Sequence, residues 1–175
     1  VVDPEKADSS KGVLLMTTPS RNLNMVGSGS YLAYRSIDMS GIKEIEVLVQ
    51  VSPRAGASGG TVEVHLDSPG GKLVGTSDAV VPKEIEFRRL MANNPQQSEA
   101  GANRRNSGTQ PQPRHDFAAR MRMSCIHAVI GLDQVQGDHD VYFVFKNPQA
   151  ATNQILMQVV EIEFRQNVSK PRPIN

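Results

Sequence analysis

The sequence of 175 residues contains one cysteine and no tryptophan. The single cysteine, Cys125, excludes an internal disulfide and a zinc site built from several cysteines. A chain of this length can bury a stable core without a disulfide or a metal ion. The length predicts one domain over residues 1–175. No signal peptide is visible, and because the first residue is not methionine we expect an excised piece or a mature product.

The chain also has little excess charge and no long apolar run. Its 19 basic and 18 acidic residues give a formal net charge of +1. This balance argues against a nucleic-acid partner, because such proteins need clustered positive charge. No run reaches the about 18 apolar residues of a membrane-spanning helix, so we expect no membrane partner.

The residue patterns of common catalytic sites are missing as well. Neither a phosphate-binding glycine loop nor a dinucleotide fingerprint occurs. Cys125 and His127 would share one face of a strand, but the methionines nearby favour core packing over a nucleophile pair. His139 lies between Asp138 and Asp140 at the start of a predicted strand, whose alternation would keep these side chains from converging on one metal ion. The sequence therefore predicts no enzymatic activity and no metal site.

The sequence is rich in short alternations of apolar and polar residues, which are typical of half-buried strands. The segment 141–145 is apolar at every position and predicts a strand covered on both faces. Turns such as Ser58-Gly59-Gly60 and Ser68-Pro69-Gly70-Gly71 separate the runs, and many short strands joined by turns indicate a β-sandwich or barrel. The predicted strands cover residues 13–17, 30–38, 44–51, 61–66, 141–145 and 160–164.

Two pairs of glutamates, Glu44 with Glu46 and Glu161 with Glu163, lie on the polar side of this alternation. We expect them to be exposed charges rather than the paired carboxylates of a glycoside hydrolase.

One segment interrupts the strand pattern. Residues 91–116 are rich in Asn, Gln, Ser, Gly and Pro and show no apolar period, which predicts a long polar insertion. Short helices over residues 84–93 and 116–124 would flank it, although Ile85 and Phe87 would also suit a strand.

Three motifs, in this order and spacing, resemble family 6 carbohydrate-binding modules. They are SYLAYRSIDMSG at 30–41, HLDSPGGKLVGT at 65–76 and GDHDVYFVFKN at 137–147, with 156–164 as the closing strand. The run at 17–34 also resembles a subset of these modules found in large exported bacterial proteins. The resemblance implies an all-β, galactose-binding-like jelly roll, a β-sandwich of two antiparallel sheets with a ligand cleft among loops at one end. It also implies an extracytoplasmic location.

In this family two aromatic rings hold a sugar ring between them. The resemblance makes Tyr34 the first of these rings and assigns Tyr31 to the core, because strand alternation points the two side chains to opposite faces. The second ring is usually a tryptophan, which this chain lacks, and Phe87 or Phe117 could take its place.

The family also uses an asparagine that binds sugar hydroxyls. Gln158 matches its position, and Asn153 is the alternative if the preceding loop is longer; both amides can donate and accept hydrogen bonds. No cofactor is expected; the resemblance leaves a structural calcium ion open as an alternative, with Glu5 and Glu161 as the candidate ligands.

The function implied is that of a non-catalytic module. It would bind a polysaccharide or oligosaccharide and position a larger exported protein, with its neighbouring domains, on that glycan. The alternative is a structural or protein-interaction β-sandwich that has lost sugar binding, which the missing tryptophan and the long insertion favour.

Overall fold

The structure is a computed structural model that describes residues 1–17, 22–52, 55–82 and 125–166. In these residues the chain forms one short 3₁₀ helix, Pro4–Lys6, and eight β-strands. The strands are β1 (Ser9–Thr17), β2 (Asn22–Asp38), β3 (Glu44–Gln50), β4 (Thr61–Leu66), β5 (Lys72–Thr76), β6 (Ile126–Gly131), β7 (Asp138–Lys146) and β8 (Ile155–Arg165). Within these ranges no helix is long and apolar enough to cross a membrane.

The strands form two antiparallel sheets that share β2. The first sheet has the order β5-β4-β7-β2, in which residues 31–38 of β2 pair with β7. The second has the order β2-β8-β3-β6, in which residues 24–27 of β2 pair with β8. Strand β1 pairs with β2 along both halves. This arrangement confirms the predicted all-β jelly-roll sandwich.

The core lies between the two sheets because each strand turns its apolar residues inward. Phe143 at the centre of β7 is fully buried and packs edge-to-face against Tyr34 and Phe164, with ring centroids 5.9 and 6.0 Å away. The other large, fully buried side chains are Leu32, Met39, Ile45, Ile130, Phe145, Leu156, Met157 and Ile162.

The outer edges of the two sheets also approach each other. A Cβ atom added to Gly75 of β5 would lie 2.7 Å from the carbonyl oxygen of Gly131 in β6. The backbone amide of Asp133 donates to the carbonyl oxygen of Val74 at 2.8 Å. Glycine at position 75 therefore permits the close approach that nearly closes the sandwich into a barrel.

All six predicted strands are present, and the turn glycines Gly59 and Gly60 adopt positive φ angles of 73° and 150°. The sandwich belongs to a compact unit made of Val1–Lys83 and Cys125–Asn175, and Glu84–Ser124 form a second unit. The predicted insertion at 91–116, its flanking helices, Phe87 and Phe117 fall in the second unit, outside the described residues.

Phe143 offers a test of the packing. We expect Phe143→Ala to lower the free energy of unfolding by about 3–5 kcal/mol, because it leaves a cavity next to two other rings. Urea unfolding monitored by circular dichroism would measure the loss, and Phe143→Leu should give a smaller loss if the first variant does not fold. The control Val129→Ala, at a position 41% exposed, should stay within about 0.5 kcal/mol of the wild type. Equal losses for Phe143→Ala and Val129→Ala would contradict this packing.

Candidate functional site

Two tyrosine rings lie side by side on the outer face of the first sheet. Leu32 and Phe143 point into the core, so alternation places their neighbours Tyr31 and Tyr142 on the opposite face. Both tyrosines are half-buried, and their ring centroids are 5.4 Å apart with an interplanar angle of 63°. We call this surface the tyrosine face and define it by Tyr31, Tyr142, Glu63, His65, Lys146 and Lys11.

Strand register brings the charged members of the tyrosine face beside the rings. His65 of β4 is the cross-strand partner of Tyr142, and Lys11 of β1 is the partner of Tyr31. Glu63 lies two residues before His65, and the Lys146 ammonium is 2.6 Å from a Glu63 carboxylate oxygen. Aromatic rings with ordered polar groups at their edges are the combination that sugar sites use.

The Glu63 carboxylate contacts two basic side chains, Lys146 and His65. Burial of this group raises its pKa, but hydrogen bonds from Lys146 and His65, with their charges, outweigh that effect and hold the pKa of Glu63 below its ordinary value of 4.5. The His65 ring has Nε2 at 2.9 Å from Glu63 and Nδ1 at 3.0 Å from the carbonyl oxygen of Gly71. Both ring nitrogens of His65 therefore have polar partners in the fold.

The position of Tyr34 corrects the expectation that its ring faces a ligand. The side chain is only 4% exposed, and its hydroxyl donates to the carbonyl oxygen of Asp3 at 3.1 Å. Burial, with the nearby charges of Asp3 and Asp8, raises the pKa of the Tyr34 phenol well above its ordinary value. Tyr34 and Tyr31 do point to opposite faces, but it is Tyr34 that belongs to the core.

The structure does not bring the predicted site residues together. Tyr34 pairs with Val141 near the start of β7, whereas Asn153 lies in the loop beyond the other end of that strand. Asn153 is exposed and has a φ angle of 62°. Gln158 belongs to the second sheet, where it is 6% exposed and pairs with Gln50 of β3. Tyr34, Gln158 and Asn153 therefore do not form one cleft.

The loops around Asn153 form a rim whose ordered amide side chains bond to backbone. The Asn147 amide nitrogen donates to the carbonyl oxygen of Gly59 at 3.1 Å, and that of Gln154 donates to Gly56 at 3.2 Å. Residues 51–60 and 147–154 contain no aromatic residue. Among the residues that the structure describes, this rim offers amides that stabilise loops and no aromatic ring on which a sugar could stack.

The outer face of the second sheet carries a cluster of charges that the alternation did not predict. Glu44 and Glu46 are 4% and 7% exposed, so the expectation of exposed charges at these two positions is wrong. Arg165 of β8 pairs with both and also with Glu163, which is 2.6 Å away, and His127 contacts Glu46. Cross-strand ion pairs and neighbouring strands enclose these carboxylates.

His139, which the sequence analysis weighed as a possible metal ligand, is held by contacts within the fold. His139 has Nδ1 at 3.1 Å from Asp67 and Nε2 at 3.2 Å from the carbonyl oxygen of Gln136, as expected for a residue that anchors the start of a strand. In residues 1–17, 22–52, 55–82 and 125–166, no three His, Cys, Asp or Glu side chains gather as a metal site would require. Calcium binding by Glu5 and Glu161 stays an untested prediction.

Comparison with known proteins agrees with this architecture, which is that of a jelly-roll binding module. The family model "Carbohydrate binding module (family 6)" matches residues 3–85. Within that range lie two of the three motifs that carry the predicted resemblance, so the resemblance to this family of non-catalytic modules is confirmed. No curated protein matches the chain.

Solved structures extend the similarity over the fold. A family 6 carbohydrate-binding module from Clostridium cellulolyticum, in complex with xylose, is 20% identical with a TM-score of 0.58, over 94% of this chain and 95% of that one. A β-1,3-glucan-binding module from Bacillus halodurans is 21% identical with a TM-score of 0.58, over 94% and 93%. A Bacillus subtilis arabinoxylan arabinofuranohydrolase is 19% identical with a TM-score of 0.58, over 95% of this chain and 27% of the hydrolase.

Sequence reasoning missed the tyrosine face, although the sequence contains a signal for it. Tyr31 and Arg35 are four residues apart in an alternating strand, which places Tyr31 on the polar side, whereas Tyr34 shares its side with Leu32. Tyr142 likewise shares its side with Asp140. The same alternation that separated the two tyrosines of β2 could therefore have decided which of them faces solvent.

The Glu63 contacts predict a pH-dependent contribution to stability. Since folding lowers the Glu63 pKa, the carboxylate stabilises the fold at pH values above 4.5, and this contribution is lost as the pH falls through the lowered pKa. The free energy of unfolding of Glu63→Gln should therefore lie below that of the wild type at pH 7 and approach it at pH 3. Urea titrations at several pH values would measure the gap, with Asp78→Asn, at an exposed position, as control. A gap that does not shrink with acidification would contradict the assignment.

Proposed function

We propose that this chain is a non-catalytic carbohydrate-binding module whose ligand contacts the tyrosine face. The observation that carries the proposal is the pair of half-buried rings Tyr31 and Tyr142, 5.4 Å apart on the outer face of a sheet. The family match over residues 3–85 supports the class of ligand. The shared fold with a module bound to xylose and with a β-1,3-glucan-binding module supports it as well.

The physical reason lies in the chemistry of a pyranose. Its C–H face is apolar and packs on an aromatic ring, while the hydroxyls at its edge need fixed polar partners. The tyrosine face supplies both, with Ala33 and Val144 as an apolar floor that is almost fully buried. The Lys146 ammonium has three donor hydrogens and gives one to Glu63, so it keeps donors for a hydroxyl.

One similar structure supports a role for the module within a larger protein. The match to the Bacillus subtilis hydrolase covers 27% of that chain, so in that protein the similar domain is one part of a longer enzyme. By analogy, this module would hold a larger exported, extracytoplasmic protein and its neighbouring domains on polysaccharide. Anchoring of this kind tolerates the modest affinity of a shallow site, because attachment raises the effective concentration of the neighbouring domain.

The second candidate function is a structural or protein-interaction domain without sugar binding. Two observations favour it: the Tyr34 ring is sealed in the core, and the edge strand β1 exposes Leu14, Leu15 and Met16 by 56%, 53% and 45%. Exposed apolar edge strands are sites where other chains can pair. Binding to glycan separates the two functions directly.

Affinity electrophoresis in gels containing xylan or β-1,3-glucan, together with a glycan array, tests the proposal. We expect wild-type retention by at least one glycan, and Tyr142→Ala or Tyr31→Ala should weaken it at least about tenfold, the loss of an aromatic anchor. The matched control Tyr34→Phe keeps a core ring and should bind like the wild type. Failure of the wild type to bind any glycan, or full retention by Tyr142→Ala, would contradict the proposal.

A further inference from the structure

We infer that the tyrosine face selects an acidic polysaccharide, whose sugar units carry carboxylate or sulfate groups. This inference rests on the proposed function and names the ligand class of the same surface. It starts from the charges that surround the Tyr31 ring.

Strand register surrounds Tyr31 with cations and apolar groups. Lys11 lies directly opposite on β1, and Val144 lies opposite on β7. On β7 the diagonal neighbours, two residues before and after Val144, are Tyr142 and Lys146. Diagonal partners lie within reach of long side chains, so both ammonium groups can reach the edge of a sugar stacked on Tyr31. None of these four neighbours is acidic.

The two lysines keep donors available. The side chain of Lys146 is 49% exposed and bonds one Glu63 oxygen, which leaves two ammonium hydrogens for a ligand. Lys11 is exposed and makes no ion pair with any residue that the structure describes. A bound anion would therefore gain the hydrogen bonds of two ammonium groups.

Three carboxylates near the rings, those of Glu63, Asp140 and Asp8, already accept hydrogen bonds. Glu63 accepts from Lys146 and His65. One oxygen of Asp140 accepts from the backbone amide of Ser36 at 3.1 Å, and one of Asp8 accepts from that of Arg35 at 2.9 Å. These contacts orient the acids toward strand β2 or toward the cations, so they do not compete with a ligand anion at Tyr31.

A charged ligand group would benefit more than a hydroxyl. Hydrogen bonds between an ammonium and an anionic oxygen are about twice as strong as neutral ones. The rings select a sugar face, and the two lysines select an acidic group at its edge. Both requirements have to be met together, which separates this site from simple adsorption of a polyanion.

Two matched pairs of glycans test the inference by isothermal titration calorimetry. One pair is oligogalacturonate and its carboxyl-reduced form, and the other is carrageenan oligosaccharide and its desulfated form. The acidic member of at least one pair should bind about tenfold more tightly than its neutral partner. The pair that shows the preference identifies the acidic group as a carboxylate or a sulfate. Raising NaCl from 50 to 500 mM should reduce this preference, because salt screens exposed charges.

Variants separate the site from general attraction. Lys11→Met should remove most of the preference for the acidic member, whereas Lys43→Met, which makes the same charge change in an exposed loop, should keep it. The double variant Lys146→Met/Glu63→Gln removes the second ammonium without leaving its acid unpaired, and it should also reduce the preference. Tyr142→Ala should weaken binding of both members of the pair.

Three other binding results would overturn the inference, the last of them together with the proposed function. Equal binding of both members in both pairs, with retention that still depends on Tyr142, would overturn the acidic ligand and leave the proposed function intact. Tight binding of acidic members that survives Tyr142→Ala would show adsorption by charge only and overturn the inference. Absence of binding to all acidic and neutral glycans would overturn the inference and the proposed function together.

Discussion

The architecture depends on one strand that serves both sheets. Residues 24–27 of β2 bond to β8 in the second sheet, and residues 31–38 bond to β7 in the first. The strand changes sheets near Gly29, which has a φ angle of 81°. Glycine adopts such a positive φ readily, whereas other residues adopt it only with strain. Beyond this bend the register places Leu32 and Tyr34 inside and Tyr31 outside. The position of Tyr31 on the outer face is therefore a consequence of how β2 turns from one sheet to the other.

Much of this fold could be predicted from residue alternation alone. Strands β3 and β4 have clean patterns because one face of each lies on the core, and their predicted apolar residues are buried. Strand β5 was not among the strands predicted from alternation. Only Val74 of its five residues is buried, and one inward residue is too few to form an alternation of apolar and polar residues. For 141–145, composition predicted cover on both faces, yet Tyr142 is only half-buried, because no second layer of the described residues packs on the outer face of this sheet.

The site could be predicted less well, for two physical reasons. Motif resemblance transferred a role to Tyr34 by its place in the sequence, but burial depends on which side of β2 faces the other sheet. Ion pairs between residues far apart in the sequence could not be predicted either. Arg165 meets Glu44 and Glu46 from 121 and 119 residues away, and a local alternation contains no information about such partners.

The two outer faces of the sandwich use charge in opposite ways, and this difference supports the proposal that a ligand binds the first sheet rather than the second. On the second sheet Arg165 bonds three carboxylates, and Glu44 and Glu46 are almost fully buried. A ligand there would have to break ion pairs that are already desolvated, which is costly. On the first sheet, Lys11 and Lys146 are exposed and stand beside aromatic rings whose floor is buried. A ligand there displaces water from half-exposed rings and meets donors that still have hydrogens to give, so binding gains contacts without losing any that the fold requires.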